Sequence, residues 1–472
     1  MSDMHRSTYR IWIEVPLAAT IYLVCFSAKL ALWTRPTFSQ SDWQELVIVN
    51  TVECLAWTLW TLARHGKEIG AIFLPLPLIC SVYASISVGV LAAGLNVYPF
   101  ADAAVRTGML LQSLMNSSLW LLIAVFISQS AGTTFRATCL SWLDGIKTSN
   151  TGVLLFMFCG VVIAVLYLRN FYSSGAYKLL ALASRDRGEI LDVAGAGRTW
   201  ILVTAFTVWL MVNVLIWLSK DARRAMGPAQ IFLEVVAISI FCFGYLRLGN
   251  RREMTHVLML WAILLCMKGR TRLVAIVFAC AVLLGLYVGI SRSYAYGSSD
   301  PQLKTEIATD PTDFYLSLFS EAIFPNYPLM DHIEKRHSLS WGFTYLRLPG
   351  YISPTFGLWK KPLSLGDQFS HNFANGAMGF AYTPLGEGYD NFGIAAALIT
   401  PFMLIVGEWF LIRVAFVNPR SSIALVPALI FLSFPMDIVR GEFVTITNAL
   451  VLYCALALGY LWLCRLGVRR QV

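Results

Sequence analysis

Long apolar runs, separated by short polar or basic stretches, take up most of the 472 residues. Twelve of them have the length of a membrane span, near residues 11–33, 45–63, 70–95, 108–130, 151–168, 199–218, 229–246, 254–267, 272–290, 392–413, 422–439 and 444–464. Each is roughly 15–25 residues, against the about 20 that a helix needs to cross the hydrocarbon core. Apolar and polar positions do not alternate within them, so no barrel pattern is present. A backbone in lipid must pair its own polar groups, and the spans are therefore expected to be helices. No small-residue cleavage site follows the first run, which reads as a span rather than a removable leader.

The pattern breaks once. Residues 291–391 form a polar stretch of about one hundred residues that divides the chain into a bundle of about nine spans (1–290), a large loop (291–391) and three further spans (392–472). The loop holds three of the six histidines, His332, His337 and His371. Apolar residues at 314, 316, 318, 319 and 323 predict an amphipathic surface helix within Asp313–Phe324. Trp341–Gly350 mixes aromatics, Arg347 and a Pro-Gly turn, and the loop closes on GFAYTPLGEGYDNFG, Gly379–Gly393. A loop of this length is either functional or disordered, and its aromatic content argues against disorder.

Composition agrees with the pattern. The chain is 57% hydrophobic and 13% charged, against about 25% charged in ordinary soluble proteins. The ten cysteines are scattered without a CxxC pair. That suggests neither a disulfide framework nor a zinc site; Cys139 falls in a connecting loop and the rest in or beside spans. Charge sets the expected topology. The basic stretches at Arg6 and Arg10, Arg64–Lys67, Lys220–Arg224, Arg413–Arg420 and Arg465–Arg470 fit the cytoplasmic side, so both termini are expected there and the large loop in the periplasm. The loop itself carries seven Lys/Arg and ten Asp/Glu. The stretch Arg247–Arg252 lies on the wrong side for this rule, with Lys268-Gly-Arg270-Thr-Arg272 opposite it, so either the rule fails locally or the segment 254–267 does not cross.

Several residues could carry chemistry. Glu387 stands where the loop meets the next span, and partial burial there would raise a carboxylate's proton affinity toward that of a general base. Asp390 or Asn391 could instead cap the helix that follows. Asp437 and Arg440 are spaced i, i+3 at a span end, as a local ion pair or with Arg440 reaching a phosphate on the loop's side. Arg292 ends the ninth span. A second loop, 169–198, places Arg185 and Arg198 on the same expected side, beside lipid headgroups or an anion, with a surface helix along Tyr177–Ala183. Glu14, Glu53, Glu234 and Glu408 lie within or near spans and read as packing features.

The dozen spans, the single large loop before the last three, and the wording Phe343-Thr-Tyr-Leu-Arg-Leu-Pro-Gly350 followed by Gly379–Gly393 resemble the O-antigen polymerases of bacterial surface polysaccharide assembly. The wording covers about fifty residues, the architecture most of the chain. The chain departs from that family's mid-chain small-small-Arg element, whose nearest counterpart is Lys268-Gly269-Arg270. The resemblance implies an all-α, polytopic helical membrane protein of the bacterial inner membrane with a GT-C-like plan. It implies transfer of a growing glycan from undecaprenyl diphosphate to the non-reducing end of a second lipid-linked repeat unit. Arginines can clamp the diphosphate leaving group bidentately, so neither metal nor other cofactor is expected.

On that reading Arg347, Arg440 and Arg292, then Arg198 and Arg185, are the diphosphate candidates. Glu387 and His371 compete as the base that deprotonates the acceptor hydroxyl. Trp341, Tyr345, Tyr382 and Tyr389 could stack on sugar faces or anchor the protein at the membrane interface, and Asn391 could bond a sugar hydroxyl. Partners would be lipid-linked glycans, membrane lipids and a chain-length regulator, with no nucleic acid. An O-antigen ligase acting on lipid A core is the nearest enzyme alternative. A glycan transporter would be expected to show two similar halves with broken helices, which the sequence lacks; a non-catalytic scaffold is the remaining class.

Overall fold

The computed structural model describes residues 2–35, 37–95, 97–126, 129–173, 196–245, 252–277, 279, 319, 322–335, 338–352, 363–374 and 381–468. Every regular element among them is helical. In chain order they begin α1 (Ser2–Trp33), α2 (Gln40–Phe73), α3 (Pro75–Ala92), α4 (Asp102–Phe126), α5 (Gln129–Asp144) and α6 (Asn150–Ser173). Next come α7 (Ala196–Leu218), α8 (Lys220–Arg224), α9 (Pro228–Tyr245) and α10 (Arg252–Met267). The loop contributes α11 (Tyr327–Lys335), α12 (Leu348–Ile352), α13 (Leu365–Ala374) and α14 (Pro384–Phe392). The chain ends with α15 (Ala396–Val417), α16 (Ser422–Leu432), α17 (Pro435–Arg440) and α18 (Phe443–Cys464).

Seven helical segments among the described residues are long and apolar enough to cross a bilayer, and four more apolar helices are shorter. This is an all-α membrane protein. These segments overlap eleven of the twelve expected spans; most of 272–290 lies outside the described residues, as do the expected surface helix at 177–183 and nearly all of 313–321. Two local features depart from the sequence reading. The basic turn at Arg64–Lys67 is a kink inside α2, centred on Gly66 at φ 75°, in the left-handed region that glycine enters without a Cβ clash. Cys139 lies buried in α5 rather than in a loop, beside buried Phe135 and Trp142.

The chain forms two compact units. The first comprises 1–133, 319–410 and 437–446; the second comprises 134–318, 411–436 and 447–472. In the first unit α1, α2, α3 and α4 pack together, and α11 packs on both α4 and α14. Its core joins Leu111, Leu114 and Met115 of α4 to Leu329 of α11, Leu385 of α14 and Ala396 and Ala397 of α15. Gly108 permits the approach of α11, since a Cβ there would lie 3.3 Å from Met330 Cγ. The loop thus returns to the membrane helices through an apolar seam.

α4 is mostly buried although it carries Gln112, Ser113, Asn116, Ser117 and Ser118. Its polar face is matched by fully buried Lys29 of α1, whose Nζ donates to Ser113 O (2.9 Å), to Ser117 Oγ (2.9 Å) and to Glu53 of α2. Asn50 Nδ2 donates to Ser113 Oγ at 3.0 Å. All three ammonium protons therefore have acceptors, as a charge in a low-dielectric interior requires.

In the second unit α6 packs on α7 and α9, while α10 packs on α7 and α16. Trp209 lies over Gly160, where a Cβ would come within 2.3 Å of the indole, and its Nε1 donates to Phe156 O at 2.9 Å. Lys268-Gly269-Arg270 is the C-terminal cap of α10. Gly269 adopts φ 71° and Arg270 N donates to Leu265 O at 2.9 Å, which satisfies carbonyls that the helix end leaves open. Lys268 also bonds Leu218 O and lies 3.5 Å from Asp144, so local caps and charges account for this element.

Candidate functional site

The motif that closes the loop is itself a short helix. Thr383 is the N-cap of α14: its Oγ1 accepts from Gly386 N at 2.9 Å, and Pro384 occupies the first helical position, where a missing N–H costs nothing. Gly393, at φ 59°, ends the helix. Asp390 and Asn391 are therefore inside α14 rather than capping the next helix. Gly388 lets α14 lie against α15; a Cβ there would fall 2.2 Å from Thr400 Oγ1 and 3.1 Å from Ala396 Cβ. Behind the N-terminus of α14 is a cavity of about 20 Å³, room for one water molecule, lined in part by Gln112, Asn326 and Thr383.

Glu387 projects from the first turn of α14 and is 0% exposed. Its Oε1 accepts from Thr344 Oγ1 at 2.9 Å and its Oε2 from Phe443 N at 2.6 Å. No cation lies in ion-pair range of it among the described residues. Asn391, also fully buried, donates from Nδ2 to Thr344 Oγ1 at 2.6 Å and accepts at Oδ1 from Gly342 N at 2.8 Å. The Thr344 hydroxyl is thus held between a carboxylate that takes its proton's hydrogen bond and an amide that grips its oxygen. Segments more than forty residues apart meet here, because Thr344 belongs to the turn 338–347 and Phe443 begins α18.

A second polar set reaches the same helix through Asp390. His332 of α11 bonds Tyr382 Oη through Nε2, and its Nδ1 lies 3.8 Å from Asp390 Oδ1. Asp390 Oδ2 accepts from Ser340 Oγ at 3.1 Å, and Asp390 O accepts from Ser340 N at 2.8 Å. Burial, reinforced by the carboxylates of Asp390 and Glu387, holds the Tyr382 hydroxyl well above the ordinary phenol range. Burial likewise raises Tyr345, with Glu387 adding to the effect. Both phenols stay protonated donors at neutral pH.

Glu442, between α17 and α18, closes the set. Its Oε2 accepts from Leu365 N at 2.6 Å and its Oε1 from Thr445 Oγ1 at 2.7 Å. Burial raises its proton affinity above the usual carboxylate value; those hydrogen bonds and the nearby Arg347 charge oppose the shift. Arg347 and Arg440 are both half-buried, and Arg440 ends α17 two residues before Glu442.

The other expected site residues distribute unevenly. Tyr345 stacks on Phe392 and meets Phe443 edge-on, and Tyr389 is half-buried against the α4 cluster. Trp341 is exposed at the tip of its turn. His371 is exposed on α13 and makes none of the hydrogen bonds that converge on Glu387. Arg292, Arg185 and His337 lie outside the described residues; Arg198 lies in the first turn of α7, its side chain undescribed. Sequence reasoning missed His332, Thr344 and Glu442. Only the apolar face of α11 hinted at the first, by implying that its helix packs inward. No group of three or more His, Cys, Asp or Glu among the described residues is arranged to hold a metal ion. No protein-family model, no curated protein and no solved structure matches this chain.

Proposed function

We propose that this chain is a membrane glycosyltransferase that lengthens lipid-linked glycans. The observation that carries the reading is the Thr344 hydroxyl, bonded at once to Glu387 Oε1 and Asn391 Nδ2. A sugar hydroxyl about to attack needs the same two contacts, a carboxylate within 2.6–3.2 Å to take the proton and a neutral donor to orient the oxygen. In this closed arrangement the turn 338–347 supplies the hydroxyl itself. Displacing Thr344 would let an acceptor sugar occupy its place.

In the proposed reaction Glu387 removes the acceptor hydroxyl proton, and that oxygen bonds to the donor's anomeric carbon. The bond from that carbon to the polyprenyl diphosphate breaks, and the diphosphate leaves with the electron pair. Arg347 and Arg440 stabilise its developing charge. The His332–Asp390 pair and Tyr382 line the adjoining wall, where Tyr382 can donate to a sugar oxygen. The architecture that goes with this reading is a GT-C-like bundle of twelve spans in the bacterial inner membrane, with both termini cytoplasmic and the loop periplasmic. Its substrates would be undecaprenyl-diphosphate-linked repeat units, and a chain-length regulator is a natural partner.

The test is reconstitution of the purified chain in vesicles with a polyprenyl-diphosphate-linked oligosaccharide. The proposal expects a ladder of lengthened products. Transfer to lipid A core alone would make the chain a ligase, and movement of the substrate across the bilayer without lengthening would make it a transporter. Either result overturns the polymerase reading.

A further inference from the structure

The turn that covers Glu387 has an outer side that the proposed chemistry does not use. Trp341 is 74% exposed, Phe343 69% and Leu346 70%, with Leu339 exposed beside them. Residues 338–346 carry no charged side chain. Three large apolar groups are therefore presented together on one loop.

This presentation is held in place. Ser340 N donates to Asp390 O at 2.8 Å, Gly342 N to Asn391 Oδ1 at 2.8 Å, Phe343 N to Ser340 O at 2.9 Å and Tyr345 N to Gly342 O at 3.1 Å. Thr344 and Tyr345 point inward and lock the same turn to α14 and α18. Trp341 takes φ 47° and Gly342 φ 87°; for a bulky residue such as Trp341 this left-handed conformation is disfavoured and persists only where the surroundings impose it. The backbone thus spends hydrogen bonds and strain on turning Trp341 outward.

What covers these side chains follows from what adjoins them. Leu339 Cδ2 lies 3.7 Å from the position a Cβ on Gly393 would take, at the start of the membrane helix α15. From there Ile394, Leu398 and Phe402 continue as exposed apolar residues at helical spacing, the stripe that a membrane helix turns toward acyl chains. Leu339 brings one end of the turn beside the start of that stripe. The turn ends in a tryptophan, whose amphipathic ring favours the headgroup boundary, and its lack of charge suits burial at that depth.

We infer that the turn 339–346 is seated in the bilayer interface, with Trp341, Phe343 and Leu346 inserted among phospholipid acyl chains at the headgroup boundary. The inference stands apart from the proposed chemistry, since a transporter or scaffold could seat the turn in the same way.

Photocrosslinking of the full chain in nanodiscs of phosphatidylethanolamine and phosphatidylglycerol tests it. Benzoylphenylalanine replaces Trp341, Phe343 or Leu346 in turn, and Glu334, exposed on α11, serves as control. After irradiation, intact-mass analysis is expected to show phospholipid-mass adducts at 343 and 346 several-fold above those at 334, and at 341 where that variant folds. Adduct levels at 343 and 346 equal to the control, or crosslinks to a second copy of the chain in place of lipid, would overturn the inference. Using three positions keeps the result decisive even if the strained site 341 tolerates no replacement.

Discussion

Two carboxylates in the first unit, Glu53 and Glu387, are both enclosed by protein, yet their surroundings differ in kind. Glu53 meets the ammonium of Lys29, which Ser113 and Ser117 also hold, at the heart of the α1–α2–α4 packing. Glu387 meets a hydroxyl and a backbone amide and no cation in ion-pair range among the described residues. A buried ion pair fixes helices and resists change, because losing either partner strands a charge. A carboxylate held by neutral donors keeps its capacity to accept a proton. Similar burial therefore serves architecture in one place and suits chemistry in the other.

The contrast is broken first by removing one partner from each site. Lys29→Ala should cost about 3–5 kcal/mol of stability by leaving Glu53 unpaired, read as loss of folded protein on size exclusion. Replacing both Lys29 and Glu53 by Leu should recover much of that loss. Glu387→Gln should cost only about 1 kcal/mol of stability, the order of one hydrogen bond, while slowing glycan elongation by about 10²–10⁴, the usual contribution of a general base. If Glu387→Gln unfolded the protein as Lys29→Ala does, the two sites would be alike and the contrast would fail.

A smaller effect is expected where α14 rests on α15. Gly388→Ala forces a methyl group to within 2.2 Å of Thr400 Oγ1, and overpacking of this kind costs about 1–3 kcal/mol. The melting temperature in detergent should fall. The smallest effect is a pH slope from Glu442. Its proton affinity is raised by folding, so the native state holds a proton that the unfolded chain releases. Stability should then decline as pH rises above the ordinary carboxylate value of 4.5. Glu442→Gln should flatten that decline, and an unchanged melting profile between pH 4.5 and neutrality would contradict it.

The long apolar helices were legible because each apolar run carries its own signal, independent of its neighbours. α5 was not, since Gln129–Asp144 is too polar to read as a span and buries only one face, along Phe135, Cys139, Trp142 and Leu143. The form of the closing motif was legible but misread: Thr383 before Pro384 already marks a helix start, which makes Asp390 and Asn391 interior residues. Among the histidines the sequence offers His371 as a base competing with Glu387, while the fold brings His332 to Tyr382 and Asp390 from fifty or more residues away. Contacts such as Lys29–Glu53 and Thr344–Glu387 join separate segments and have no local periodicity to betray them.

In the proposed reaction Thr344 stands where an acceptor hydroxyl would be and Glu387 takes that hydroxyl's proton. Elongation of a polyprenyl-diphosphate-linked oligosaccharide by Thr344→Ala and Glu387→Gln, reconstituted side by side, separates these two roles. Thr344→Ala is expected to build the product ladder still and Glu387→Gln to lose it, both proteins remaining folded. Loss of the ladder in both variants, or its persistence in Glu387→Gln, would contradict that assignment of roles.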